Sequence, residues 1–108
     1  EDEELVRKAT TRILSISGYS IIVAENAEEA LQLRENSKTP IDLVISDMVM
    51  PGMGGDKLAM RLNELDPRLR ILLISGYTDN ARVQNYPFLS KPFTPEELLR
   101  KVREVLDA

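Results

Sequence analysis

Carboxylate, hydroxyl and ammonium side chains flank the short apolar segments of this sequence, where they could bind a metal ion and transfer a group. They are Glu1 and Asp2 before the first predicted helix, and Asp47, Ser75 and Lys91 at the ends of three apolar runs. Three carboxylates held close together repel one another and favour a bound cation. Oxygen ligands suit a hard ion such as Mg²⁺. A carboxylate can also act as a nucleophile that forms an aspartyl phosphate, with a lysine neutralising the phosphoryl oxygens.

Each of these residues also has an ordinary explanation when it is considered alone. Asp47, for example, could be a solvated aspartate that begins a loop. The chemistry requires that the fold bring the side chains together. The elements that position them therefore decide between the two interpretations.

The apolar runs predict buried strands. Residues 20–24, 41–46 and 70–75 are short, continuous and rich in branched apolar side chains, and 87–90 is a weaker candidate. Runs of this kind are typical of strands that are covered on both faces, as in a parallel sheet.

Helical patterns alternate with these runs. A stripe of Leu5, Ala9, Ile13 and Ile16 predicts a helix over about 3–17 that Gly18 ends. A second helix is predicted to begin after the cap Asn26 and to carry Ala30, Leu31 and Leu33. A third carries Leu58, Ala59, Leu62 and Leu65 and is stopped by Asp66-Pro67. The last begins at the cap Thr94, followed by Pro95 and Glu97, and its apolar stripe consists of Leu98, Leu99, Val102, Val105 and Leu106.

This alternation predicts an α/β fold, a doubly wound parallel sheet with helices on both faces, formed by one domain over residues 1–108. Functional groups of such a fold gather beyond the carboxyl ends of its strands. We therefore expect the acids, the hydroxyl and the lysine to converge on one edge.

The composition excludes several classes of function. The chain has no histidine and no cysteine, so histidine-based catalysis, disulfides and thiolate chemistry are excluded, and a reducing cytoplasmic setting is expected. The net charge of -4 argues against direct nucleic-acid binding. No apolar run is long enough to span a bilayer, so this domain is expected to make no membrane contact, and no leader peptide is recognisable.

Four motifs resemble, in order and spacing, those of the response-regulator receiver domain of two-component signalling. They are Glu1-Asp2, Asp47-x-x-Met50-Pro51-Gly52, Ser75-Gly76 and Lys91-Pro92-Phe93. The resemblance covers essentially the whole chain and implies a flavodoxin-like receiver fold.

The resemblance also implies a role for each site residue. Asp47 is expected to be the phosphoacceptor, with Mg²⁺ bound by Asp2, by Glu1 through water, by Asp47 and by the backbone carbonyl of Val49. Lys91 is expected to pair with the phosphoryl oxygens and to precede a cis bond to Pro92. Ser75 is expected to bond the phosphoryl group and Phe88 to act as an aromatic switch, although Phe88 could equally be a core residue of the last strand.

Two features depart from the family pattern. The apolar strand that normally precedes the acidic pair is missing from the sequence, so an N-terminally incomplete domain is expected. Residues 76–90 leave little room for the helix that should precede the last strand, and 78–85 carry few apolar residues. This fourth helix of the family fold is expected to be short or irregular.

The expected function is a phosphorylated switch. The resemblance implies a histidine kinase or histidine phosphotransfer protein as donor, and output or kinase domains of a parent protein as further partners. The stretches 73–79 and 88–96 resemble the C-terminal receivers of hybrid sensor histidine kinases. One alternative is a degenerate receiver that binds proteins without phosphorylation. A nucleotide hydrolase or phosphatase is disfavoured because no phosphate-binding loop with its lysine is present, and a flavin-binding protein would not need Asp47 together with Lys91.

Overall fold

The computed structural model describes residues 3–36, 40–48, 53–76 and 86–108. Helices and strands alternate along most of this part of the chain. They are α1 (Glu3–Ile16), α2 (Ala27–Asn36), β1 (Leu43–Asp47), α3 (Gly55–Leu65), β2 (Arg70–Ser75), β3 (Phe88–Ser90) and α4 (Pro95–Asp107).

The three described strands form a parallel sheet in the order β1-β2-β3. Asp47 pairs with Ile74, and Ser75 pairs with Ser90, so the carboxyl ends of the three strands meet at one edge. This is the arrangement that the runs at 41–46, 70–75 and 87–90 predicted.

Helices cover both faces of the sheet, which confirms the predicted doubly wound architecture. One core joins α2 and α3 to Ile71 and Leu73. The other joins α1 and α4 to Leu72. Because neighbouring residues of a strand point to opposite faces, β2 serves both cores and is buried along most of its length.

The predicted strand at 20–24 is wrong. These residues form no strand, and Ile22 and Val23 are exposed. An apolar run becomes a strand only when its backbone groups pair with a neighbour. Within the described part of the chain, no strand of the sheet pairs with this segment, and β1 pairs with β2 alone.

The predicted bounds of α1 are correct, but of its predicted apolar stripe only Ile13 packs against the core. Leu5 is 63% exposed and Ile16 is 76% exposed, whereas Leu14 is buried against α4. Thr10 is half-buried one turn before Leu14. Because Thr10 is polar, the pattern of apolar residues did not show that this side of the helix is covered. Gly18, with a φ of 99°, ends the helix as predicted.

The predicted helix caps at the starts of α2 and α4 are present in the structure. Asn26 Oδ1 accepts a hydrogen bond from Glu29 N over 2.8 Å. Thr94 Oγ1 accepts a hydrogen bond from Glu97 N, and the Glu97 carboxylate accepts one from Thr94 N, which makes a full capping box. The predicted short helix at 78–85 lies outside the described residues. No helix in the described ranges combines the length and the apolar character that crossing a bilayer requires.

Candidate functional site

The site is built around an ion pair between Asp47 and Lys91. Lys91 Nζ lies 3.2 Å from Asp47 Oδ1, and each side chain is 26% exposed. Asp47 is the last residue of β1, and Lys91 directly follows β3, so the pair reaches across the end of the intervening β2. The predicted convergence of these two residues is therefore present.

Strand alternation places both side chains on the same face of the sheet. Asp47 follows Ile45 by two residues, and Lys91 follows Leu89 by two, and Ile45 and Leu89 both pack against the core that α1 and α4 cover. The ion pair therefore belongs to the face covered by α1, the helix that follows Glu1 and Asp2 in sequence.

Backbone hydrogen bonds extend the sheet just past the two ion-pair residues. Met48 N donates to Ile74 O over 2.8 Å, and Lys91 N donates to Ser75 O over 2.9 Å. These bonds hold the backbones of Asp47 and Lys91 on either side of β2, so only their side-chain torsions remain to be set. The Lys91–Pro92 peptide bond is cis.

Ser75 ends β2 between the two charged residues. It lies one residue beyond Ile74, the register partner of Asp47, and its relative exposure is 0%. By alternation it points to the α2–α3 face, as Leu73 does, whereas Asp47 points to the other face. The fold thus brings Ser75 to the correct edge, with its hydroxyl covered.

Phe88 begins β3 on the same face as Ser75. Its Cα pairs with Leu73, and its ring is half-buried against the core under α2 and α3. Ser90, the register partner of Ser75, follows Phe88 by two residues on this face. The location is compatible both with an aromatic switch and with a plain core residue.

The remaining predicted metal ligands, Glu1, Asp2 and the carbonyl of Val49, lie outside the described residues. Within the described residues, no three acidic side chains gather at one point. Asp47 is the one predicted ligand whose position is defined. Its partly exposed carboxylate at the end of a strand fits the preference of Mg²⁺ for oxygen ligands that leave room for water.

One residue next to the site was missed by the sequence analysis. Gly55, the first residue of α3, is buried directly against the backbone of Asp47, and its N–H donates to Met48 O over 2.8 Å. The available signal was the glycine pair Gly54-Gly55 shortly after the acid.

Comparisons with known proteins match nearly the whole chain. A family model described as the response regulator receiver domain matches residues 1–103. The chain is 36% identical to a sensor kinase CckA of Brucella abortus over 99% of the chain and 12% of that protein. It is 31% identical to a response regulator receiver protein CpdR of the same organism over 100% of the chain and 93% of that protein.

A solved structure shares the fold of this chain. The crystal structure of a CheY-like response regulator receiver domain protein from Methanospirillum hungatei matches with a TM-score of 0.85 and 28% identity over 99% of this chain and 89% of that one. The family match covers almost all of the sequence, and Asp47 and Lys91, which two of the motifs contain, lie together at the end of the sheet. The chain therefore belongs to the response regulator receiver domain family of two-component systems.

Proposed function

We propose that Asp47 accepts a phosphoryl group from a histidine kinase or a histidine phosphotransfer protein. The observation that carries this proposal is the 3.2 Å approach of Lys91 Nζ to Asp47 Oδ1. It brings a nucleophile from β1 and a cation from beyond β3 to one partly exposed point on the sheet edge. A structural ion pair does not need that edge, whereas an incoming phosphoryl group does.

The reaction is a substitution at phosphorus. A carboxylate oxygen of Asp47 attacks the phosphorus atom of a phosphohistidine, so an O–P bond forms while the N–P bond breaks. The bonding electrons stay with the imidazole nitrogen, and the products are an aspartyl phosphate and an unphosphorylated histidine. Because this chain contains no histidine, the donor belongs to another domain or another protein.

Lys91 provides the charge that accompanies the transferred group. Its backbone N–H is held by Ser75 O, so the side chain extends from a fixed point next to Asp47. Once the oxygen of Asp47 carries the phosphoryl group, the ammonium lies within reach of the phosphoryl oxygens. Fixed charges of this kind lower the barrier because they need no reorganisation during transfer.

A magnesium ion is proposed as the cofactor. Asp47, Asp2 and the carbonyl of Val49 would hold it directly, and Glu1 would act through water. When bound, the ion would neutralise negative charge on the phosphoryl oxygens, as the ammonium of Lys91 also would.

Ser75 and Phe88 are proposed to convert phosphorylation into a change of surface. The hydroxyl of Ser75 is covered at the end of β2, between the strands that carry Asp47 and Lys91. A phosphoryl group at this edge would draw the hydroxyl toward its oxygens, and Phe88 packs on the face that the hydroxyl would leave. The altered face would then change affinity for output or kinase domains of the parent protein.

The proposal is tested by intact mass spectrometry at neutral pH after incubation with acetyl phosphate and Mg²⁺. Wild-type protein should gain one phosphoryl group, and Asp47→Asn should gain none. Asp42→Asn is the matched control, because Asp42 is an exposed aspartate just before β1. Labelling of Asp47→Asn at the wild-type rate would disprove the assignment of Asp47. No gain on wild-type protein would favour a phosphorylation-independent binding module.

A further inference from the structure

The first residue of α3 packs on the backbone of the proposed phosphoacceptor. A Cβ atom added at Gly55 would overlap the carbonyl oxygen of Asp47, and it would lie 3.0 Å from the Asp47 carbonyl carbon and 3.1 Å from Met48 Cα. All three atoms are backbone atoms. The overlap could be relieved only by moving β1 or the start of α3, because no side-chain rotation removes it.

The backbone on both sides of this contact is held in place by hydrogen bonds. Met48 N bonds Ile74 O and Met48 O accepts from Gly55 N, both over 2.8 Å, so the residue after Asp47 is tied to β2 on one side and to α3 on the other. The Met48 side chain is also buried in the core between the sheet and α3. A shift of the α3 start would therefore be transmitted to the backbone of Asp47.

The preceding glycine is in a different situation. A Cβ at Gly54 would meet Asp56 Oδ1 at 2.8 Å, which is the end of a side chain and not a backbone atom, and Met48 O at 3.3 Å. Gly54 has φ −70° and ψ 163°, a conformation that alanine adopts without strain. The two adjacent glycines therefore differ sharply in what a methyl group would displace.

We propose that Gly55 is a positioning residue for phosphoryl transfer: the absence of a side chain at this point sets the distance between the Asp47 carboxylate and the Lys91 ammonium. The inference rests on the proposed function of Asp47. Gly55 touches neither the phosphoryl group nor the donor, and acts through the Asp47–Met48 backbone. Transfer reactions are sensitive to such placement, since small misalignments of reacting groups lower rates strongly.

The test compares Gly55→Ala with two controls, Gly54→Ala and Ala59→Gly. Ala59 is a buried residue one turn beyond Gly55 in α3, so its replacement by glycine lowers helix stability and adds no atom near Asp47. The labelling rate by acetyl phosphate and Mg²⁺ is measured at a temperature at which circular dichroism shows all proteins folded. Gly55→Ala should label on the order of 10-fold to 100-fold more slowly than wild type, and the two controls should stay near the wild-type rate.

A second measurement separates positioning from loss of stability. The carboxyl carbon resonance of Asp47 in the NMR spectrum reports the surroundings of its ion pair with Lys91. It should shift in Gly55→Ala and stay in place in Ala59→Gly. A purely structural role for Gly55 would slow labelling only in proportion to the unfolded fraction, and would leave this resonance of the folded protein unchanged.

The outcomes distinguish this inference from the proposed function. If wild type labels and Gly55→Ala labels at the rate of Ala59→Gly with an unshifted Asp47 resonance, the inference is overturned and Asp47 remains the acceptor. If wild type takes no label, the proposed function and the inference fail together.

Discussion

Arg34 and Asp66 join two helices on one face of the sheet through a direct bond, with Arg34 Nη2 lying 2.9 Å from Asp66 Oδ2. Asp66 also accepts a hydrogen bond from the backbone N–H of Arg68. The bond from Arg68 and then that from Arg34 lower the pKa of Asp66 below its ordinary value of 3.8. The carboxylate therefore stabilises both the α2–α3 contact and the turn that leads into β2.

We predict that Asp66→Ala lowers the Tm more than Arg34→Met. The first change removes both bonds of the carboxylate, whereas the second removes one and retains an apolar stem that can cover the same surface. Scanning calorimetry at neutral pH measures the order. Asp42→Ala, an exposed aspartate elsewhere on the chain, should leave the Tm near the wild-type value. An equal Tm for the Asp66 and Arg34 variants would mean that the bond to Arg68 contributes nothing.

The capping box at the start of α4 predicts a specific pH dependence. Bonds from the backbone N–H of Thr94 and then from its side chain lower the pKa of Glu97 below its ordinary value of 4.5. A carboxyl group with a lowered folded pKa contributes stability that is complete above the ordinary value. That stability is lost as the pH falls through the folded value.

Glu97→Gln should therefore flatten the loss of stability in acid. Glutamine keeps the acceptor that the box needs but cannot titrate, so less stability should disappear as the pH falls from neutral to below 4.5. Thr94→Ala should cost about 1 kcal/mol at neutral pH, because the helix loses its cap. Urea denaturation at a series of pH values measures both effects. A Glu97→Gln protein that loses as much stability in acid as wild type would contradict the assignment.

Local signals predicted α4 well, and non-local contacts explain the errors elsewhere. Thr94, Pro95 and Glu97 act within one turn, so the sequence alone determines the start of that helix. Residues 20–24 have the composition of a strand, but a strand depends on a partner that composition cannot identify.

In the site too, some features could be predicted from the sequence and others depend on non-local contacts. The sequence predicts that Asp47 and Lys91 meet, because parallel strands end at a common edge, and the register of the sheet places both residues there. Gly55 could not be assigned, because its role depends on how closely α3 folds back onto the carbonyl of Asp47. A glycine is recognised in a sequence by its type, and the atom that it must accommodate is visible only in the folded chain.

Lys91→Ala should separate phosphorylation from response. The Asp47 carboxylate would remain, so label should still be taken up from excess acetyl phosphate, but on the order of 100-fold more slowly because a fixed charge on the transferring group is lost. Without the ammonium the phosphoryl oxygens would also lack the partner that anchors them beside β2. Mass spectrometry measures the uptake, and NMR shifts of Ser75 and Phe88 on labelling measure the response.

Lys101→Ala is the matched control for this prediction. Lys101 is a lysine of similar exposure that pairs with Glu104 on α4, away from the strand ends. Its replacement should leave both the uptake and the NMR response at wild-type levels. A Lys91→Ala protein that labels at the wild-type rate and shows the full response would remove the lysine from the mechanism.

Ser75→Ala should retain uptake and lose the conformational response. The hydroxyl of Ser75 is buried on the face opposite to the Asp47 side chain, so it is not needed for the attack on phosphorus. It is needed afterwards, if its movement toward the phosphoryl oxygens is what releases Phe88. In the labelled variant, the resonances of Asp47 should shift as in wild type while those of Phe88 stay unchanged. Ser90→Ala, at the register partner of Ser75, is the matched control and should show both shifts. If Phe88 shifts normally in labelled Ser75→Ala, the ring is a core residue of β3 and the signal leaves the site by another route.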